Sequence, residues 1–243
     1  MINKKNCLTI ITARGGSKGL KNKNIKKIGN KTLIEFKYIA SMRANILNNE
    51  IFVSTDSSDY IKLLKKKNIK CIKRPKYLAT DTSETKPVLL HVLDTLKKVG
   101  KNFDNLILLE PATPFTSYKN LRKAYELFTS QNLDVMASVE ESIIHSNFIA
   151  SIKKNNLRNM FEKMKKLKKY RRQNFSKEYK MDGGFYIFKV ASLYRYKNLF
   201  DPRQKARCFI VNKKEALNIE SQEDFDIATL FYKNFHVIRK NFL

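Results

Sequence analysis

The sequence predicts an α/β domain: a mainly parallel sheet with helices on both faces. Three observations carry this. Short apolar runs alternate with segments of helical periodicity. Glycine, proline or Asp/Ser/Thr turns close the runs, as where a chain leaves a strand. The 243 residues suffice for one such domain with its own core and a small appended arm. Strands alternating with helices imply right-handed crossovers between parallel neighbours.

The first strand covers residues 7–13, an apolar run closed by Arg14 and a glycine-rich loop. Residues 32–44 form a helix through Leu33, Ile34, Phe36, Tyr38 and Ile39. A strand at 51–54 ends in Thr55-Asp56-Ser57, and a helix follows at 59–67. Residues 70–73 are a strand, and 86–99 a helix with Pro87 in its first turn, where proline forfeits no helical bond. A strand at 106–109 meets Pro111, followed by a helix at 118–130 and a strand at 134–139. Residues 140–181 break the rhythm. They include the basic run 163–172 and no clear buried strand, so they are expected to project as an arm. The sheet resumes at 184–189 and 208–211. A helix at about 221–235 closes the chain, with Ser221 as N-cap and Asp224 in a capping-box role.

Composition narrows the function. No apolar run approaches the roughly 20 residues of a membrane helix, so no membrane insertion is expected. Cys7, Cys71 and Cys208 are far apart and odd in number, which fits a reducing, cytoplasmic compartment. His91, His145 and His236 are equally scattered, which argues against a His/Cys metal site. The net charge of +27 has two readings. One is a polyanion partner. The other is codon bias, since lysine greatly outnumbers arginine, asparagine and isoleucine abound, and the lysines spread along the whole chain. The basic runs lack interleaved aromatics, which ranks nucleic acid last among the partners.

The motifs of the first half stand at predicted carboxyl ends of strands, where such sheets bind ligands. The first loop reads Arg14-Gly15-Gly16-Ser17-Lys18-Gly19-Leu20-Lys21-Asn22-Lys23-Asn24. Glycines let its amides face an anion, and Arg14, Lys18 and Lys23 supply charge for phosphate oxygens. It is neither GxGxxG nor a P-loop.

This loop resembles the nucleotide loop of the acylneuraminate cytidylyltransferases, the CMP-sialic acid synthetases and their legionaminic and pseudaminic acid relatives. The resemblance continues in order along nearly the whole chain. It runs through Val53-Ser54-Thr55-Asp56-Ser57, Arg74-Pro75, Leu78-Ala79-Thr80-Asp81 and Leu109-Glu110-Pro111-Ala112-Thr113-Pro114. It ends with Arg172-Gln173, Asp182-Gly183-Gly184-Phe185-Tyr186-Ile187 and Ile219-Glu220 before Glu223-Asp224. It implies a nucleotide-diphosphosugar-transferase-like, Rossmann-like fold whose arm dimerises. It implies transfer of CMP from CTP to an acidic nine-carbon keto sugar, with Mg2+ or Mn2+ and loss of pyrophosphate.

The same resemblance implies site residues. Arg14 and Lys23 are the catalytic cations. Gly15, Gly16, Ser17, Lys18, Asn24, Arg74, Asp81 and Thr85 join them around the nucleotide. Asn24 as a loop cap and Asp81 as a turn residue are the plainer alternatives. Glu110, Arg172 and Gln173 fall on the sugar side. Glu110 stands where the family often has Gln, and Thr116 where Pro-x-Arg is usual. Arg172 is otherwise a solvated basic face. On the metal side the family's two aspartates are replaced by Asn218 and Glu220. Glu220 supplies one carboxylate, or simply favours the start of the last helix. Two further readings stay open: a catalytically degenerate fold-mate that binds nucleotide or polyanion without turnover, and an enzyme for another acidic keto sugar.

Overall fold

The computed structural model describes residues 6–16, 19–152, 154–165, 167, 175–234 and 240. Its centre is a seven-stranded sheet. The strands are β1 (Cys7–Thr12), β4 (Asn49–Thr55), β5 (Cys71–Lys73), β6 (Asn105–Leu109), β7 (Val135–Glu141), β8 (Tyr179–Lys189) and β9 (Ala206–Ile210). Their order is β5-β4-β1-β6-β8-β7-β9. The pairs β5/β4, β4/β1, β1/β6 and β7/β9 are parallel, and β8 lies antiparallel between β6 and β7. A small ribbon, β2 (Lys27–Ile28) with β3 (Lys31–Thr32), sits apart from it.

Alternation along the strands builds two cores. Cys7 and Ile11 of β1 face one layer, with Tyr60 and Leu64 of α2 (Ser58–Lys65) and Leu121 and Phe128 of α4 (Tyr118–Ser130). Leu8 and Ile10 face the other, with Leu89, Val92, Leu93 and Leu96 of α3 (Thr85–Lys97) and Leu193 of α6 (Val190–Arg195). Helices therefore cover both faces, as the alternation predicts. A third cluster forms where α1 (Leu33–Ala44) meets α7 (Gln222–Asn234): Phe36 contacts Phe115 and Tyr232 edge-on. Burying one such aromatic contributes roughly 1.5–3 kcal/mol, so this cluster fixes the chain's end against its first helix.

Local signals set the boundaries. Helix α1 starts at Leu33 because Thr32 caps it: Glu35 donates its N–H to Thr32 Oγ1 at 3.3 Å, and Thr32 donates its own to Glu35 Oε2 at 2.9 Å. Such a cap contributes about 1 kcal/mol. Helix α7 carries the predicted box, with Ser221 N–H donating to Asp224 Oδ2 at 2.8 Å and Asp224 N–H to Ser221 Oγ at 3.1 Å.

The segment 140–181 corrects one expectation. Its two ends are strand: β7 runs on to Glu141 and β8 begins at Tyr179, with Glu140 opposite Lys180. These residues are mostly polar or exposed and paired across the ladder, Lys180 Nζ to Glu140 Oε1 at 2.9 Å, so no apolar run marks them. Between them lies α5 (Arg158–Met164), none of whose residues is buried.

Candidate active site

The carboxyl ends of β1 and β6 open into a cavity of about 380 Å³. Arg14, Gly19, Lys23, Asn24, Arg74, Glu110 and Glu220 are among its lining residues. Four chain segments thus converge there, three of them following the parallel strands β1, β5 and β6, because parallel strands deliver their following loops to one edge.

The first loop is anchored by backbone and side-chain bonds. Gly15 donates its N–H to Asp56 Oδ1 at 2.9 Å, and Asn24 donates from Nδ2 to the Arg14 carbonyl at 3.0 Å. Asn24 is buried, so it both holds the loop and faces the cavity. Gly19 is packed so closely that an added Cβ would run into the carbonyl oxygen of Glu220. Glycine is therefore what lets the loop touch the chain's closing element. Gly19→Ala is expected to displace the loop and weaken CTP binding about tenfold, a cost of roughly 1.4 kcal/mol, measured by calorimetry.

The cations differ in their settings. Lys23 donates from Nζ to the Ile219 carbonyl at 2.7 Å. Burial pulls its ammonium below the usual lysine range, while Glu220 and Glu110 oppose that pull. Arg74 is buried and donates to Ser54, from Nε to Oγ at 3.2 Å and from Nη2 to the carbonyl at 2.9 Å. Burial lowers it too, against the field of Asp56. Arg14 pairs with Asp81 at 2.7 Å, a half-exposed pair of the kind that contributes little to stability.

Asp81 therefore reaches the first loop but does not line the cavity, and neither does Thr85, the first residue of α3. Gly15 lies beside Asp56 and Ser57 at the end of β4, and Gly16 is exposed. Ser17, Lys18, Arg172 and Gln173 lie outside the described residues.

Glu110 caps β6 at the cavity floor. Desolvation raises its carboxyl, and Lys37 and Lys23 work against that rise. Glu220 lines the opposite wall, and Asn218 donates from Nδ2 to Glu220 Oε1 at 2.9 Å. Asp224 accepts from the Glu220 N–H at 2.9 Å and fixes its backbone. Glu220 presents a carboxylate to the cavity, and Asn218, bonded to it, adds an amide two residues away. That is a donor set suited to Mg2+ completed by phosphate and water.

Sequence reasoning missed Lys37, Asp56 as the loop's anchor, and Glu215. Lys37 was legible as the one charged residue on the stripe of α1 that also holds Leu33, Ile34, Ala40, Ser41 and Ala44, all buried. Glu215 accepts from Ser117 N, Asn120 Nδ2 and Asn212 Nδ2, which ties the approach to α7 to the start of α4.

The cationic cavity lies at the strand ends of an α/β sheet, where folds of this class bind ligands. Residues 8–237 match the sequence profile of the Cytidylyltransferase family, and the chain belongs to that family. It is 31% identical over 246 residues to "Post-translational flagellin modification protein B" of Campylobacter coli, covering 97% of this chain and 98% of the relative. It is 27% identical over 222 residues to the N-acylneuraminate cytidylyltransferase of Escherichia coli O18:K1:H7 (strain RS218 / NMEC), covering 91% of this chain. The matched region there spans about half of that relative, 51% of its length. Among solved structures, CMP:2-keto-3-deoxy-manno-octonic acid synthetase complexed with CTP superposes with a TM-score of 0.70. The identity is 14%, and 94% of this chain and 98% of that one are covered. At that identity the likeness concerns the fold.

Proposed function

We propose that this cytidylyltransferase joins CMP from CTP to the anomeric hydroxyl of a sialic-acid-like nonulosonate and releases pyrophosphate. The observation that carries the reading is the cavity in which Arg14, Lys23 and Arg74 converge with Glu110 and Glu220. The named relative that acts on N-acylneuraminate supports the sugar class.

The sugar's anomeric oxygen forms a bond to the α-phosphorus of CTP. The bond from that phosphorus to the bridging oxygen breaks, pyrophosphate leaves, and the hydroxyl proton is released. Catalysis of this kind is positioning and charge neutralisation. Lys23 and Arg14 offset the charge that develops on the phosphates, and Arg74, steadied by Ser54, holds the nucleotide. Glu110 is assigned to the sugar's hydroxyls, and the resemblance assigns Arg172 and Gln173 there too. It assigns Gly15, Gly16, Ser17, Lys18 and Asn24 to the triphosphate, and Asp81 and Thr85 to the nucleoside. Mg2+, or Mn2+, held by Glu220 and Asn218, supplies Lewis-acid neutralisation of phosphate oxygens when bound. A pyrophosphate-release assay with CTP, Mg2+ and a panel of sialic, legionaminic and pseudaminic acids tests the reading.

The chain is proposed to be one domain whose arm, the part of residues 140–181 between the strand ends Glu141 and Tyr179, makes a homodimer. Ile143, Ile144, Ile149, Ile152, Leu157 and Phe161 are exposed on that segment, apolar surface that a partner arm could cover. Light scattering is expected to give twice the chain mass, and a variant lacking the arm is expected to be monomeric and inactive. A monomeric, fully active native chain would contradict this.

In this reading the reaction is cytoplasmic. Cys7, Cys71 and Cys208 are all free, in keeping with a reducing compartment. No described helix is long and apolar enough to cross a membrane.

A further inference from the structure

Beneath the cavity lies a fully buried lysine that the reaction does not directly use. Lys37, at 0% exposure, rises from the middle of α1. Its Nζ donates to Thr116 Oγ1 and to the Gly184 carbonyl, the latter at 2.7 Å. Burying an ammonium is costly unless it is bonded and its charge answered. Here burial draws it down to about 7, while Asp182, Glu110 and Glu215 hold it up.

The two acceptors belong to different segments. Thr116 ends the loop that leaves β6 through Glu110 and Pro111, and Gly184 lies in an irregular stretch of β8. There the pairing steps from Ala137/Tyr186 to Val139/Met181, so residues 182–185 stand opposite Ser138 alone. Thr113 Oγ1 donates to the Asp182 carbonyl at 3.0 Å, a second tie between the same segments. Gly183, at φ +73°, packs against Glu110: an added Cβ would stand 3.2 Å from Glu110 Oε2. Asp182 is 6% exposed, and its Oδ1 has no hydrogen-bond partner among the described residues. Asp182 is also the first of the three carboxylates that hold the Lys37 ammonium up.

We propose that Lys37 is a positioning residue for the sugar half of the site: its buried ammonium ties the β6–α4 loop to the β8 bulge and so fixes Glu110 at the cavity floor. The proposal rests on the reading of Glu110 as a sugar contact. Among the described residues the Lys37 ammonium bonds Thr116 and Gly184, neither of which lines the cavity, so its effect is expected to fall mainly on the side of the site that Glu110 serves. Losing the tether frees Glu110 and leaves Asp182 buried and uncompensated. Those two consequences separate experimentally.

The test uses the full chain as native, Lys37→Met, Asp182→Asn and Lys37→Met/Asp182→Asn. Kinetics use CTP and whichever of the sialic, legionaminic and pseudaminic acids the native chain turns over fastest. Lys37→Met is expected to melt well below native, and the double variant to regain at least half of that loss, because the uncompensated charge is gone. In the double variant the KM for the sugar acid is expected to stay at least tenfold above that of Asp182→Asn, with the KM for CTP within about twofold. A double variant whose sugar KM returns to that of Asp182→Asn, or whose two KM values rise together, would show Lys37 to be structural only and overturn the inference. A double variant that regains no stability overturns the charge pairing and the inference with it. A native chain that turns over none of the three acids is a separate result, which overturns the reading of the site on which the inference stands.

Discussion

Lys23→Ala is expected to lose about 10²–10³ in kcat/KM, or roughly 2.7–4 kcal/mol of transition-state stabilisation, the scale seen when one preorganised donor is removed. The reason lies in its setting. Lys23 is half-buried, held on the Ile219 carbonyl at 2.7 Å, and points its charge into the cavity between Glu220 and Glu110. A donor fixed before substrate arrives needs no reorganisation as phosphate charge develops. An exposed lysine such as Lys21, on the same loop, lacks that fixation, and Lys21→Ala is expected to stay within about threefold of native. Steady-state kinetics of both variants check the contrast. Equal losses, or none, would remove Lys23 from the phosphate site.

The second large effect is expected at the proposed metal position. Glu220→Gln removes the one carboxylate of the 218/220 pair and is expected to cut turnover on the order of 10²-fold, with no recovery at high Mg2+. Asn218→Asp works the other way. In the native chain Asn218 donates to Glu220 Oε1 at 2.9 Å, so the amide steadies the carboxylate but adds no charge. A second carboxylate should lower the Mg2+ needed for half-maximal rate, and by more than Glu220→Asp, which adds no charge. Unchanged Mg2+ dependence in Asn218→Asp would take residue 218 away from the metal.

What the sequence revealed follows from what periodicity records. The strands with apolar runs, β1 and β6, are legible because consecutive residues pack into opposite cores: Leu8 and Ile10 into one, Cys7 and Ile11 into the other. The start of β8 is not, because Tyr179 to Met181 pair with β7 through backbone and charge rather than apolar burial. The cavity's composition was largely legible. Arg14, Lys23, Asn24, Arg74, Glu110 and Glu220 all line it. Asp81 and Thr85 do not line it, though Asp81 pairs with Arg14, which does.

Long-range pairings were beyond reach. Thr116 stands where the resemblance has an arginine. The structure brings Lys37 Nζ onto Thr116 Oγ1 from a helix 79 residues earlier. No local pattern links the two positions. Only the anomaly of a lysine on the buried stripe of α1 marks one of them.

The central claim is that this chain transfers CMP to a nonulosonate. Its most direct measurement is pyrophosphate release by the native chain with CTP and Mg2+, with sialic, legionaminic and pseudaminic acids supplied one at a time. The account predicts release with at least one of the three, matched mole for mole by a CMP-sugar, and little release when ATP replaces CTP. Binding of CTP with no pyrophosphate released in the presence of any of the three acids would contradict it.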